Sequence, residues 1–272
     1  MRPYTQTDRR PAAFSVVWKA FRMGRTGLTA YLILLLTVIA ASAQTPTPGR
    51  IGLTAEGLNV WQQRNDVRIP PSTGTEFSLV DLAGSAPTPS VRVEATVDVT
   101  ERQQIRLVYA PLQVTGRGTP VTPIAFAGTT FAPAPTETVY KFNSYRATWS
   151  YRVHQGGTWT WRVGFTGFVR DARIALTQAD RAAEDTNVGF VPLGHVSADA
   201  RLAARWSVDF VADASAAPQG RAIDFAATLA YRPAPPFRMF GGYRTIEGGA
   251  DVDTVYTFAW LNAAVVGIGV RF

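Results

Sequence analysis

The sequence predicts an all-β fold: a transmembrane, antiparallel, up-and-down β-barrel of about ten strands, twelve at most, behind an N-terminal export segment. Three observations carry this. Apolar residues recur at every second position through most of residues 51–272, in rows that no charge interrupts, while the alternate rows are heavily ionic. Short polar turns alternate strictly with longer stretches rich in Gly, Pro, Ser and Asp. Aromatic residues of the apolar rows gather beside the short turns and at the chain's end.

The 272 residues include no cysteine, so a disulfide framework and thiolate metal or redox chemistry are excluded. The formal charge of +7 invites a nucleic-acid partner, but residues 1–43 carry +5 of it and leave only +2 for the rest. Basicity belongs to the leader, and nucleic acid is set aside as a partner.

Residues 1–43 read as a signal peptide. Leu28–Ile39 is an uncharged apolar run, preceded by Arg25 and followed by the small-residue pattern Ala41-Ser42-Ala43. Met23 is an alternative start. A single membrane anchor is the competing reading, but the run is shorter than the ~20 residues that span a bilayer. Residues 44–50 form a Pro/Thr linker, and residues 51–272 the barrel.

Strands are expected at 51–62, 91–100, 104–114, 138–153, 158–172, 187–202, 206–214, 222–232, 237–245 and 254–272. Short turns fall at Thr100–Gln103, His154–Gly157, Ala203–Arg205 and Pro233–Pro236; long loops fall near 63–90, 116–137, 173–187, 215–221 and 246–253. Glu76–Leu82 and Ile124–Phe131 are either short strands inside loops or the two extra spans of a twelve-stranded barrel. Pro192 removes a ladder donor in the sixth strand, which suggests a local bulge. Lys141 and Asn143 share the apolar phase of Tyr145, so either the fourth strand has left the hydrocarbon there or a bulge sits near Ser144.

The uncharged rows include Val91–Val99, Trp159–Val169 and Ile223–Tyr231 on odd numbers, and Trp206–Ala214 on even numbers. The opposite rows hold Arg92, Glu94, Asp98, Arg106, Arg146, Arg152, Arg162, Arg170, Asp199, Arg201, Asp209, Asp213, Asp224, Arg232, Arg238 and Arg244. A soluble β-sandwich also alternates, but its large rings would fill the middle of the core. Here Tyr151, Trp159, Trp161, Trp206, Tyr231, Phe237 and Phe272 form a belt at one depth, as at a membrane interface. In lipid such a sheet has to close, because an open edge strands unpaired N–H and C=O groups.

The last stretch, YTFAWLNAAVVGIGVRF (Tyr256–Phe272), alternates to a terminal aromatic with Asn262 as the one polar member of its outward row. It resembles the closing strand of Gram-negative outer-membrane β-barrels. FNSYR (Phe142–Arg146), APQGRAIDF (Ala217–Phe225) and YRTIEGGADVD (Tyr243–Asp253) resemble, loosely, an uncharacterised group of these proteins. The resemblance implies residence in the outer membrane, contact with its lipid and lipopolysaccharide, delivery by the barrel assembly machinery, and a monomer.

Three functions fit these residues. The inward charges either brace a non-enzymatic envelope barrel by pairing across strands or line a narrow polar pore for small solutes. His195 and Ser197, two apart on one strand face and followed by Asp199, resemble the His/Ser arrangement of outer-membrane lipid A deacylases, which implies a barrel-embedded lipid-modifying hydrolase. A soluble periplasmic β-protein is the third. Gly248-Gly249 is expected to turn a tight hairpin, with Glu247, Asp251, Arg170, Asp171, Arg221 and Arg244 forming a charged rim. No metal or cofactor is expected.

Overall fold

The structure, a computed structural model, describes residues 50–272. The expected signal peptide and residues 44–49 of the linker lie outside these residues. Within them the chain forms one closed antiparallel barrel of ten strands. In chain order the wall is β1 (Ile51–Arg68), β3 (Thr88–Asp98), β4 (Gln103–Ala110) continued by β5 (Gln113–Gly118), β8 (Thr136–Gly156), β9 (Trp159–Gln178), β10 (Arg181–Arg201), β11 (Trp206–Ala217), β12 (Gly220–Tyr231), β13 (Phe237–Val252) and β14 (Val255–Arg271). The short β2 (Phe77–Ser78), helix α1 (Leu79–Ala83) and the hairpin β6 (Ile124–Phe126) with β7 (Thr129–Phe131) belong to the connections. Neither extra segment spans, because the chain uses both as cover over one mouth.

Closure is made by β1 and β14, paired from Gly52↔Arg271 to Arg68↔Tyr256. Ile51 and Phe272 exchange backbone hydrogen bonds of 3.0 and 2.7 Å at the seam's end. We call that end the turn rim and the opposite end the cap rim. One bulge lies between Gln62 and Arg64, where β1 bends, and it carries the strand past the residue at which alternation breaks down.

Several expected boundaries move. The segments 173–187, 215–221 and 246–253 are strand, not loop: β9–β10, β11–β12 and β13–β14 run on to two-residue turns at 179–180, 218–219 and 253–254. Their Asp and Gly residues stand above any apolar requirement, so alternation fades although the ladders continue. Gly248-Gly249 is therefore no hairpin. It lies inside β13, and a Cβ on Gly249 would overlap the Thr257 carbonyl and the Phe258 ring. Pro192 needs no bulge, because β10 pairs with β11 only from Gly194 to Arg201, and its register against β9 is unbroken at Pro192↔Gly167. The bulge considered near Ser144 is absent from a ladder whose only shift lies between Arg152 and His154. Lys141 instead leaves the apolar row by pairing with Asp171 at 2.7 Å.

The third wall strand is broken at Pro111-Leu112. Below the break β4 pairs with both neighbours; above it β5 pairs with β8 alone. The β3–β4 ladder ends at Val93↔Tyr109, so the edge Thr88–Arg92 runs on beside β5 without pairing to it. One side-chain bond, Ser90 Oγ–H to the Pro111 carbonyl at 2.5 Å, bridges the gap. At the cap rim α1 covers it by lying against bare backbone, since a Cβ on Gly116 would overlap Ala83 and one on Gly118 would meet Leu82.

Side chains segregate by phase. Outward residues form an apolar band that includes Phe165, 71% exposed, Val266, 68%, and Ile268, 62%. Asn262 is the polar exception and is satisfied in place: Tyr243 Oη–H and Thr245 Oγ1–H donate to its Oδ1 at 2.5 and 2.9 Å, and Trp260 Nε1–H donates to Thr245. Inside, the cap half of the lumen holds an apolar cluster, with the buried polar residues Gln62, Asn65, Thr136, Thr138 and Gln178 beside it. Leu79 and Leu82 of α1 with Phe126 and Phe131 of β6–β7 pack on Val67, Val114, Tyr140, Ile174 and Leu176. Burying this set offsets the cost of ordering the long connections over the mouth.

Candidate functional site: a ring of charges in the lumen

Inward positions at mid-barrel carry charges on seven wall strands, and the register brings eight of them into one closed circuit. Arg92 Nε lies 3.6 Å from Glu56 and its Nη2 3.6 Å from Glu94; Arg106 Nη1 is 3.9 Å from Glu94 and its Nη2 3.0 Å from Asp213. Arg146 Nη1 is 3.1 Å from Asp213 and 2.7 Å from Asp224. Arg244 closes the loop, 2.6 Å from Asp224 and 3.5 Å from Glu56. Four guanidiniums thus alternate with four carboxylates, and the formal charge of the ring is zero. Seven of the eight side chains are almost wholly buried, Glu94 being 20% exposed. Unpaired, any one of them would cost several kcal/mol in so dry a place.

Polar neighbours complete the ring. His195 Nδ1 is 2.7 Å from Asp213 Oδ1, Thr166 Oγ1–H donates to the same oxygen at 2.9 Å, and Thr148 is 2.8 Å from Thr166. Asp213 therefore meets four partners. Three guanidinium nitrogens in the ring, Nε of Arg92, Arg106 and Arg244, are buried and carry no hydrogen bond.

Of the expected lumen charges, Arg92, Glu94, Arg106, Arg146, Asp213, Asp224 and Arg244 join the ring. Arg244 is 5% exposed, so it belongs to the mid-lumen and not to the mouth where it was also expected. Arg238 pairs with Asp209, Arg232 with Asp199 at 3.3 Å, and Arg271 with Asp98, all nearer the turn rim. Arg162 donates to the Arg102 carbonyl at 3.4 Å, Arg152 stands opposite Arg162 across the ladder, and Arg201 ends β10 exposed. Arg170 lies toward the cap rim, donating to Asn187 at 2.7 Å. Glu56 was missed. Its row continues with Leu58 and Val60, which face the apolar cap, so the inward face of β1 reads as core; the signal was the uncharged opposite row Leu53 to Trp61.

The candidate catalytic set does not assemble as expected. The carboxylate at His195 is Asp213, directly opposite it on β11, whereas Asp199 faces Arg232. His195 is 4% exposed. Of the residues expected to form the aromatic belt, Trp159, Trp161, Trp206, Phe237 and Phe272 are exposed near the turn rim, and Tyr151 and Tyr231 are half-buried. Trp206 and Tyr231 meet as a tilted pair with centroids 4.8 Å apart, Trp159 and Trp161 stack at 5.5 Å, and Arg102 donates to the Tyr151 hydroxyl at 3.1 Å. At the cap rim Arg221 pairs with Glu247, as expected of a charged rim. Arg64 and Arg221 lie over Phe258, and Arg68 over Tyr256, at 5.0 to 5.9 Å. A hydrogen bond to Asp66 raises the Arg64 guanidinium above its ordinary pKa.

No protein-family model and no curated protein matches the chain. Among solved structures, the outer-membrane protease OmpT from Escherichia coli superposes with a TM-score of 0.53 at 7% identity, covering 85% of this chain and 99% of that one. Ail, the attachment invasion locus protein of Yersinia pestis, gives a TM-score of 0.37 at 8% identity, covering 83% and 100%. At such identity the OmpT likeness speaks to the fold, and that fold is the closed barrel described above.

Proposed function

We propose that this chain is a monomeric, non-enzymatic barrel of the Gram-negative outer membrane whose lumen is sealed, so that it serves the envelope as a braced wall element and not as a pore. The observation that carries the reading is the eight-membered charge ring lying beneath an apolar cap. An ion entering from the turn rim meets a network of zero formal charge in which each arginine is paired with two carboxylates, and beyond it a mainly apolar plug. The apolar outer band, the aromatic belt and strand closure support placement in a bilayer. The stacked arginines of the cap rim, Arg64, Arg68 and Arg221, suit lipopolysaccharide phosphates, and the terminal strand ending at Phe272 suits recognition by the assembly machinery.

The hydrolase reading finds little support. His195 is buried beside an aspartate already held by two arginines and a threonine. In this proposal His195 is a fourth partner that fixes Asp213.

Purified protein in planar bilayers tests the proposal. Fully folded barrels, identified by heat-modifiable gel migration, are expected to show no stepwise conductance above background. Steady steps that Asp224→Ala or Arg146→Ala alter in size would overturn it.

A further inference from the structure

We propose that the turn-rim mouth of the barrel holds a phosphate-binding site, built from Arg152, Arg162 and Ser197, for inorganic phosphate or a small soluble phosphate monoester. The register sets the three side by side. Arg152 stands directly opposite Arg162 across the β8–β9 ladder, and Arg162 directly opposite Ser197 across β9–β10. They continue the inward rows that carry Arg146, Thr166 and His195 nearer the ring, and all three are half-buried.

Two guanidiniums opposite each other in a ladder repel, and such a pair destabilises the sheet unless a counter-charge offsets it. The wall supplies none. Each inward aspartate of this mouth is taken: Asp98 by Arg271 and Gln104, Asp199 by Arg232, and Asp209 by Arg238. Among the described residues no carboxylate lies within ion-pair distance of Arg152 or Arg162. Asp98 acts on Arg162 from farther off, and Arg152 and Arg271 both act against it. The hydrogen bond from Arg162 to the Arg102 carbonyl is long, 3.4 Å, and brings no charge. The β8–β9 ladder shifts register only between Arg152 and His154, and a bulge of this kind re-aims the side chain beside it. Toward the ring the next inward residue of β9 is Gly164, where a Cβ would overlap the Trp149 carbonyl, and its partner on β8 is the small Ser150. Strands about 4.8 Å apart thus bring two guanidinium forks and one hydroxyl into a common row. A phosphate meets all three, having three strong acceptor oxygens where a carboxylate has two.

Binding here needs no passage through the ring, so the sealed lumen stands or falls on conductance and this site on binding. The test is equilibrium dialysis of radiolabelled inorganic phosphate against the full chain in phosphatidylcholine nanodiscs, with empty nanodiscs as the blank. One saturable site per barrel is expected, displaced by glycerol phosphate and not by acetate at the same concentration. Arg162→Gln and Arg152→Gln should each weaken binding about tenfold or more, and Ser197→Ala about threefold or more. Arg205→Gln, which removes one exposed charge from the adjoining turn, should leave binding unchanged. Heat-modifiable migration should be kept in all four variants, since none of them breaks an ion pair. Binding equal to that of empty nanodiscs, binding unmoved by Arg162→Gln and Arg152→Gln, or equal losses in these and in Arg205→Gln would overturn the site. Displacement by acetate would overturn the assignment to phosphate, and failure of glycerol phosphate to displace would overturn its extension to monoesters.

Discussion

His195 Nδ1 lies 2.7 Å from Asp213 Oδ1, and the two residues stand directly opposite each other across the β10–β11 ladder. Asp213 also holds Arg106 and Arg146, so removing its charge releases two buried guanidiniums at once. Asp213→Asn is expected to cost about 3–5 kcal/mol, whereas His195→Ala, which takes away one of four partners, costs about 1–2 kcal/mol. Urea unfolding in lipid vesicles, followed by heat-modifiable migration, gives both values. Equal losses would contradict this ranking.

Arg244 bridges Asp224 and Glu56. Arg244→Met strands both carboxylates and should destabilise by several kcal/mol. Adding Asp224→Leu to it should recover part of that loss, because a broken pair costs more than an absent one. Unfolding of the two single variants and the double variant reads the cycle, and strictly additive losses would argue against a coupled ring.

The outer band predicts a dependence on depth. Val266 is 68% exposed in the middle of the apolar row of β14, and Trp159 lies in the belt. Val266→Arg is expected to cost about 2–4 kcal/mol in a bilayer and Trp159→Arg about 0–1 kcal/mol beyond the lost ring packing. Similar costs in lipid and in urea-free detergent micelles would remove the bilayer from the explanation.

Gly116 lets α1 lie against β5. Gly116→Leu should displace the helix without breaking the wall, so limited proteolysis would cut residues 69–87 readily while the barrel still migrates as folded. The charge ring remains, and conductance is expected to stay absent. Unchanged protease resistance would mean that the cap does not depend on this contact.

The wall was legible because lipid on one side and paired charge on the other impose a period of two. Rows such as Trp159–Val169 therefore announced both the strand and its face. Legibility failed where that contrast ended. Above the apolar band both faces of β9–β10 and β13 are mixed, and Gly248-Gly249 read as a turn although the ladder runs through it. The ring was visible as a set of inward charges, but its circuit depends on register across seven strands, which a single sequence does not print. Glu56 was hidden by Leu58 and Val60, whose apolarity answers to the cap and not to lipid. The break at Pro111-Leu112 escaped notice because Pro111 ended an otherwise uninterrupted row.

The Ile51–Phe272 seam also sets an order of events. Every other ladder in the wall joins neighbours along the chain and can zip from its own turn, closing a loop of modest length. The pairing of β1 with β14 alone joins the two ends of the barrel sequence, and the ring contacts Arg106–Asp213 and Arg244–Glu56 each join strands that are not neighbours in the wall. The ring's charges therefore stay incompletely matched until the final strand arrives. Assembly should show a late, single-step gain of resistance to denaturant that coincides with closure of this seam.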